Sequence, residues 1–246
     1  MIDRHLDIHT RDGFMNTFVT HPEDGGPFPV VLFLMDAPGV REELEDMARR
    51  LGTAGYYVLL PNLYYRRVRE FRILEEGREA MFEHMESLTN AMVNKDIAAL
   101  LEFTDSDDRS ADGPVGVVGY CMSGPFAISA ASCFGDRLAA AASIHGVRLV
   151  TDQEDSPHLG LNRVQGELYF ACAQTDEWAP AEMIEALESH LLDATVTARV
   201  ETYPATGHGF VFPQREGHYD KQAAERHWER LYALFARNLR SPELSG

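Results

Sequence analysis

The sequence predicts an α/β fold, with a mostly parallel, doubly wound sheet covered by helices on both faces. Two observations predict it. Short runs such as Val30-Val31-Leu32-Phe33-Leu34 and Val115-Gly116-Val117-Val118 are apolar throughout rather than alternating, as strands buried on both faces are. Between such runs lie amphipathic segments, for example Gly39 to Ala54, where Leu44, Met47, Ala48 and Leu51 share one face. Strands that alternate with helices imply crossover connections and hence parallel neighbours.

The elements follow in order. His5 to Thr10 and Phe14 to Thr20 alternate apolar and polar around Asp12-Gly13, the pattern of a β-hairpin. His21 to Pro29 is a Pro/Gly-rich turn, and Val30 to Leu34 is the first buried strand. The helix over 39–54 precedes the strand Tyr57 to Pro61. Residues 66–86 are charged and mostly helical, an excursion rather than core. Asn94 to Phe103 is a helix leading to the strand that ends near Val118. Leu138 to Ile144, Glu167 to Ala173 and Thr197 to Tyr203 read as further strands, with a helix from Pro180 to Leu192. Tyr219 to Asn238 closes as an amphipathic helix carrying Ala223, Trp228, Leu231, Leu234 and Phe235. Neither a repeat, a low-complexity tract nor a long linker interrupts the 246 residues. One domain over 1–246 is expected, with an ordered core from about 3 to 238.

Composition narrows the function. The 22 basic and 39 acidic side chains give a formal charge of −17, which repels phosphate backbones and anionic bilayers. Neither nucleic-acid binding nor membrane association is therefore expected, and a small-molecule partner is. Met1-Ile2-Asp3-Arg4-His5 does not resemble the start of a signal peptide, so none is expected, and no apolar window is long enough to cross a bilayer. With three cysteines, an odd number, a disulfide framework is not expected and a reducing cytoplasm is. The spacings His-x-His and Cys-x-x-Cys are missing, so neither metal nor other cofactor is expected.

The chemistry concentrates at Gly119-Tyr120-Cys121-Met122-Ser123-Gly124. A buried strand runs into a helix with Pro125 near its start, and the joining turn crowds the backbone around Cys121. Gly119 and Ser123, two places to either side, are small enough to permit that turn. This is a nucleophile-elbow pattern with cysteine in place of serine. Cys133 and Cys172 read as inert core thiols. Two later strand ends carry what such a nucleophile needs. Asp176 follows the strand ending at Ala173, with Glu177 as the alternative acid; His208 follows the strand ending at Tyr203 and lies between two glycines. His145, just past Ile144, is the rival base or a pocket residue. A histidine held by an acid accepts a thiol proton and later returns it to a leaving group.

The order nucleophile, acid, histidine is that of the α/β-hydrolases. The chain resembles the dienelactone hydrolase family, cysteine hydrolases of that fold, over nearly its whole length. The likeness rests on Gly119-Tyr120-Cys121 with Gly124, on Leu34-Met35-Asp36-Ala37-Pro38-Gly39-Val40, on Pro61-Asn62-Leu63-Tyr64 and on His208-Gly209-Phe210. It implies Cys121 as nucleophile, Asp176 as acid and His208 as base. It also implies an oxyanion hole from the backbone N–H groups of Met122 and Ala37. Asp36 stands where the family usually has a glutamate that keeps the resting thiol neutral, and is one methylene shorter. Family members that take dienelactones grip the substrate carboxylate with arginines, one of them four positions after the histidine. Here that position is Phe212, so neutral aryl esters or lactones are the expected substrates. Arg66, Arg67, Arg69, Arg72 and Arg78 compete for the place of the other arginine.

The function expected is a cofactor-free thiol hydrolase that opens esters or lactones through an acyl-cysteine. Tyr64, Tyr65, His145, Trp178, Phe210 and Phe212 are expected to line its pocket. The alternative is a family member of little or no turnover that binds a small ligand or senses thiol oxidants.

Overall fold

The computed structural model describes residues 1–239. Its fold is the expected one, an eight-stranded, mostly parallel sheet with helices. The residues group into two compact units, the first ending at Asp112 and the second beginning at Gly113.

In the first unit, β1 (Ile2–Thr10) and β2 (Gly13–His21) form the hairpin, antiparallel from Ile2↔His21 to Thr10↔Gly13. Gly13 takes φ +132°, a conformation L-residues rarely adopt, which is why the turn needs glycine. The order continues through β4 (Tyr57–Pro61), antiparallel to β2, to β3 (Val30–Leu34), parallel to β4. Every residue of β3 and β4 is buried, as their uninterrupted apolar character predicts. Helix α1 (Glu42–Thr53) buries Leu44, Met47, Ala48 and Leu51. It starts three residues later than its apolar pattern suggests, because Gly39 has φ +85° and Arg41 is extended.

The excursion is less helical than expected. Residues 66–72 carry no regular structure, and α2 (Ile73–Glu86) is broken at Gly77, where φ is +86°. Ion pairs hold it beside the buried Phe71 and Met81. Arg66 donates to both oxygens of the buried Asp96 at 2.9 and 2.6 Å, and to Asp12 at 2.8 Å. Helix α3 (Asn90–Thr104) begins four residues before its apolar pattern does, since the Thr89 hydroxyl accepts from the Met92 N–H and caps it.

The second unit is a parallel sheet in the order β5 (Val115–Tyr120), β6 (Leu138–Ile144), β7 (Glu167–Thr175), β8 (Thr197–Gly207). Helices α4 (Gly124–Cys133), α5 (Ala181–Asp193) and α6 (Lys221–Leu239) accompany it. Helix α6 buries Ala223, Ala224, His227, Trp228, Leu231, Leu234, Phe235 and Leu239. It seats closely on β5: a Cβ on Gly116 would stand 2.7 Å from the Phe235 ring. Burying each of the larger side chains contributes about 1.5–3 kcal/mol. Strand β8 runs four residues past Tyr203 and includes Pro204, which the outermost strand of this unit tolerates. Among the described residues no helix is long and apolar enough to cross a membrane.

Candidate active site

The register of β5 to β8 sets four chemically capable residues at adjacent strand ends. Tyr120 pairs with Ile144, Ile144 with Ala171, and Thr175 with Gly207. The residues just beyond are Cys121, His145, Asp176 and His208. Parallel strands end on the same side, so four positions spread over 88 residues of chain become neighbours.

The elbow at Cys121 is built by steric exclusion. Cys121 has φ +53°, an unusual value for a non-glycine residue. A Cβ on Gly119 would overlap the carbonyl of Ser123, and one on Gly124 would overlap the Ser143 hydroxyl. Only glycine fits at either place. The Ser123 hydroxyl accepts from the Tyr120 N–H at 2.8 Å and donates to the Tyr120 carbonyl at 3.1 Å. Ser123 is thereby consumed in holding the turn. A one-turn 3-10 helix over Cys121–Ser123 runs directly into α4, whose Pro125 needs no N–H partner.

Three side chains form a hydrogen-bonded chain. His208 Nε2 stands 3.1 Å from Cys121 Sγ, and His208 Nδ1 2.8 Å from Asp176 Oδ2. A carboxylate accepts only, so Nδ1 carries the proton. The other carboxylate oxygen, Oδ1, accepts the backbone N–H groups of Trp178 at 2.9 Å and Ala179 at 3.2 Å. The turn thus fixes Asp176 and leaves one oxygen for His208, whereas Glu177 is exposed. Burial by itself would lower the affinity of His208 for a proton. Hydrogen bonds and charge from Asp176 and Cys121 override that and raise its pKa to about 9.

His145 is placed differently from these three. It is 1% exposed, has φ +38°, and neither ring nitrogen has a hydrogen-bond partner. Its ring stands edge-to-face on His208 with centroids 4.8 Å apart. Phe210 and Phe212 are fully buried and pack against it at 5.8 and 5.3 Å. The Arg215 guanidinium lies 5.1 Å from the centre of the Phe212 ring, and a Cβ on Gly209 would overlap its Nη1. Sequence reasoning passed over Arg215; its only signal is a lone cation seven positions after His208. Trp178 is 43% exposed.

In the first unit, Asp36 and Ala37 lie on the loop after β3. Asp36 is fully buried and receives two hydrogen bonds from Arg41, at 2.5 and 3.2 Å. Arg41 also binds Glu43 at 2.6 Å and the Gly39 carbonyl at 3.1 Å. The Tyr64 hydroxyl donates to the Ala37 carbonyl at 2.9 Å, and its ring stacks on His84. The Tyr65 hydroxyl belongs instead to the Asp96 and Thr10 network, at 2.9 and 2.8 Å. The arginines of the excursion already have partners: Arg66 as above, Arg67 with His84 and Glu83, Arg69 with Asp7, Arg72 with Glu70 and Glu75, and Arg78 over Phe82.

Known proteins are similar to this chain in sequence and in fold. The model of the dienelactone hydrolase family matches residues 15–239. A protein of Synechocystis sp. named "Putative carboxymethylenebutenolidase" is 25% identical over 228 residues, covering 91% of this chain and 92% of its own. The carboxymethylenebutenolidase of Rhodococcus opacus is 24% identical over 219 residues, covering 88% of this chain and 84% of its own. A solved structure from Klebsiella pneumoniae, titled "Putative Dienelactone Hydrolase", superposes with a TM-score of 0.87 at 23% identity, covering 96% of this chain and 98% of the other.

Proposed function

Since this chain belongs to the dienelactone hydrolase family, we propose that it opens small esters or lactones through an acyl-cysteine on Cys121. The observation that carries the proposal is the unbroken hydrogen-bonded chain from Cys121 Sγ through His208 to Asp176.

The steps follow from the donors and acceptors. Sγ attacks the acyl carbon and its proton passes to His208 Nε2, while Asp176 holds the imidazolium in the productive orientation. The Met122 backbone N–H, at the start of the turn after the nucleophile, is assigned to the oxyanion. Collapse of the tetrahedral intermediate breaks the C–O bond, and the departing oxygen takes the proton from Nε2. A water then attacks the thioester carbon, gives its proton to Nε2, and the C–S bond breaks as that proton returns to sulfur. In a lactone the departing oxygen stays tethered, so one product leaves.

The test is a pre-steady-state experiment with p-nitrophenyl acetate. A burst of nitrophenolate equal to the enzyme concentration, with an acetyl mass increment on the peptide containing Cys121, is expected. A label on Ser123, Cys133 or Cys172 would reassign the nucleophile.

A further inference from the structure

His145 costs the fold something that packing does not return. Its surroundings are aromatic: Tyr120 at 6.1 Å, Phe210 at 5.8 Å and Phe212 at 5.3 Å between ring centres. A phenylalanine would fill that box and leave no polar atom unmatched. Instead two buried ring nitrogens lack a hydrogen-bond partner, a state that native cores rarely keep. The backbone there is also in a sparsely populated left-handed conformation.

The segment that holds His145 touches both reacting partners. Its own N–H donates to the Ala171 carbonyl at 2.7 Å, and two residues on, the Val147 N–H donates to the Cys121 carbonyl at 3.2 Å. A Cβ on Gly146 would stand 3.2 Å from the Gly124 backbone, so the segment lies flat on the elbow. From that anchored position the His145 ring meets His208 edge-to-face at 4.8 Å. One short stretch therefore bonds to the nucleophile's backbone and sets the wall against which the base leans.

We propose that His145 is a positioning residue for the base, a polar ring that holds the His208 imidazole in the plane where Nδ1 meets Asp176 and Nε2 meets Cys121. The role requires a ring that does not itself take up charge, since a second cation against His208 would oppose the imidazolium formed in each step. Burial first, and then the nearby His208 and Arg215, hold His145 well below the ordinary histidine pKa, so it stays neutral. This role rests on the thiol-hydrolase reading given above.

The test compares wild type, His145→Phe, His145→Gln and Cys121→Ala by three measurements. These are thermal melting, kcat and KM with p-nitrophenyl acetate, and the rate of Cys121 alkylation by iodoacetamide at pH 7. His145→Phe is expected to melt at or above the wild-type temperature, because it removes two unmatched polar atoms. Its kcat is expected to fall tenfold or more with KM within twofold of wild type, and Cys121 alkylation to slow at least fivefold. His145→Gln, which restores polarity without the ring, is expected to recover part of the kcat lost in His145→Phe. Wild-type kcat and alkylation rate in a well-folded His145→Phe protein would overturn the proposal. Residual turnover in Cys121→Ala would instead overturn the thiol-hydrolase reading, and alkylation, which needs no substrate, would still decide the role of His145.

Discussion

Arg41 holds the buried carboxylate of Asp36 in a two-pronged pair, at 2.5 and 3.2 Å, and binds Glu43 with the same guanidinium. The hydrogen-bond partner of the Cys121 sulfur is His208. With Nε2 3.1 Å from that sulfur, we expect His208 to govern the reactivity of Cys121. Iodoacetamide should therefore alkylate Cys121 readily at pH 7, and His208→Ala should slow it about tenfold. An alkylation rate unchanged in His208→Ala would overturn that expectation.

The same pair makes a stability prediction. Removing Arg41 leaves two buried carboxylates, Asp36 and Glu43, without their shared cation. Breaking one side of a buried pair costs about 3–5 kcal/mol, and the low end applies because the Arg41 side chain is 26% exposed. Urea denaturation of Arg41→Ala should show that loss as a lower midpoint with an unchanged slope. A loss below ~1 kcal/mol would mean that the carboxylates are satisfied by other partners.

The acid and the base should separate by magnitude. His208→Ala removes the proposed proton carrier, whereas Asp176→Asn keeps the imidazole but loses the acceptor that fixes its tautomer. Both should lower kcat by roughly 10²–10⁴-fold, with the larger loss in His208→Ala. Glu177→Gln should stay near wild type, since that side chain is exposed. A Glu177 variant as damaged as Asp176→Asn would reverse the assignment.

His208 should titrate late. Asp176 stabilises the imidazolium, so its folded pKa lies near 9 against about 6.5 for an unperturbed histidine. Asp176→Asn removes the Asp176 part of that stabilisation and leaves the Cys121 part, so the midpoint should move down. NMR of protein labelled at histidine ring carbon should show one resonance titrating near pH 9 in wild type and lower in the variant. His145 should show no protonation in the range where His208 takes up its proton. A wild-type His208 midpoint at or below 6.5 would remove the electrostatic part of the mechanism.

Substrate charge supplies the last prediction. Phe212 stands where an arginine would grip a carboxylate, but its ring is fully buried, with the Arg215 guanidinium 5.1 Å from its centre. Arg215 lies three positions further along the chain. Arg215→Ala should cost a carboxylate-bearing lactone roughly tenfold or more in kcat/KM, from a charge-assisted hydrogen bond of ~1.5–3 kcal/mol. The methyl ester of the same lactone should be little affected. Equal losses for both substrates would leave Arg215 a structural role only.

The sequence by itself determined the sheet and the places where chemistry gathers. Continuous apolar runs located β3, β4 and β6 to the residue, because a strand buried on both faces has no polar position to blur its ends. Small residues flanking Cys121 foretold the elbow, since a Cβ at Gly119 has nowhere to go. Only the tertiary structure decided which of the competing side chains meet. His145 and His208 both follow strands, and the sequence favours His208 only by chain order and its flanking glycines; the register of β5 to β8 and the side-chain directions give the sulfur to His208 and leave His145 behind it. Asp176 and Glu177 are adjacent in the chain, and the turn that receives the Trp178 and Ala179 N–H groups chooses between them. The capture of Asp36 by Arg41, five residues on, follows no helical or strand period. Periodicity records which face of an element is buried, whereas a hydrogen bond depends on where each side chain points, and that is fixed only when the elements pack.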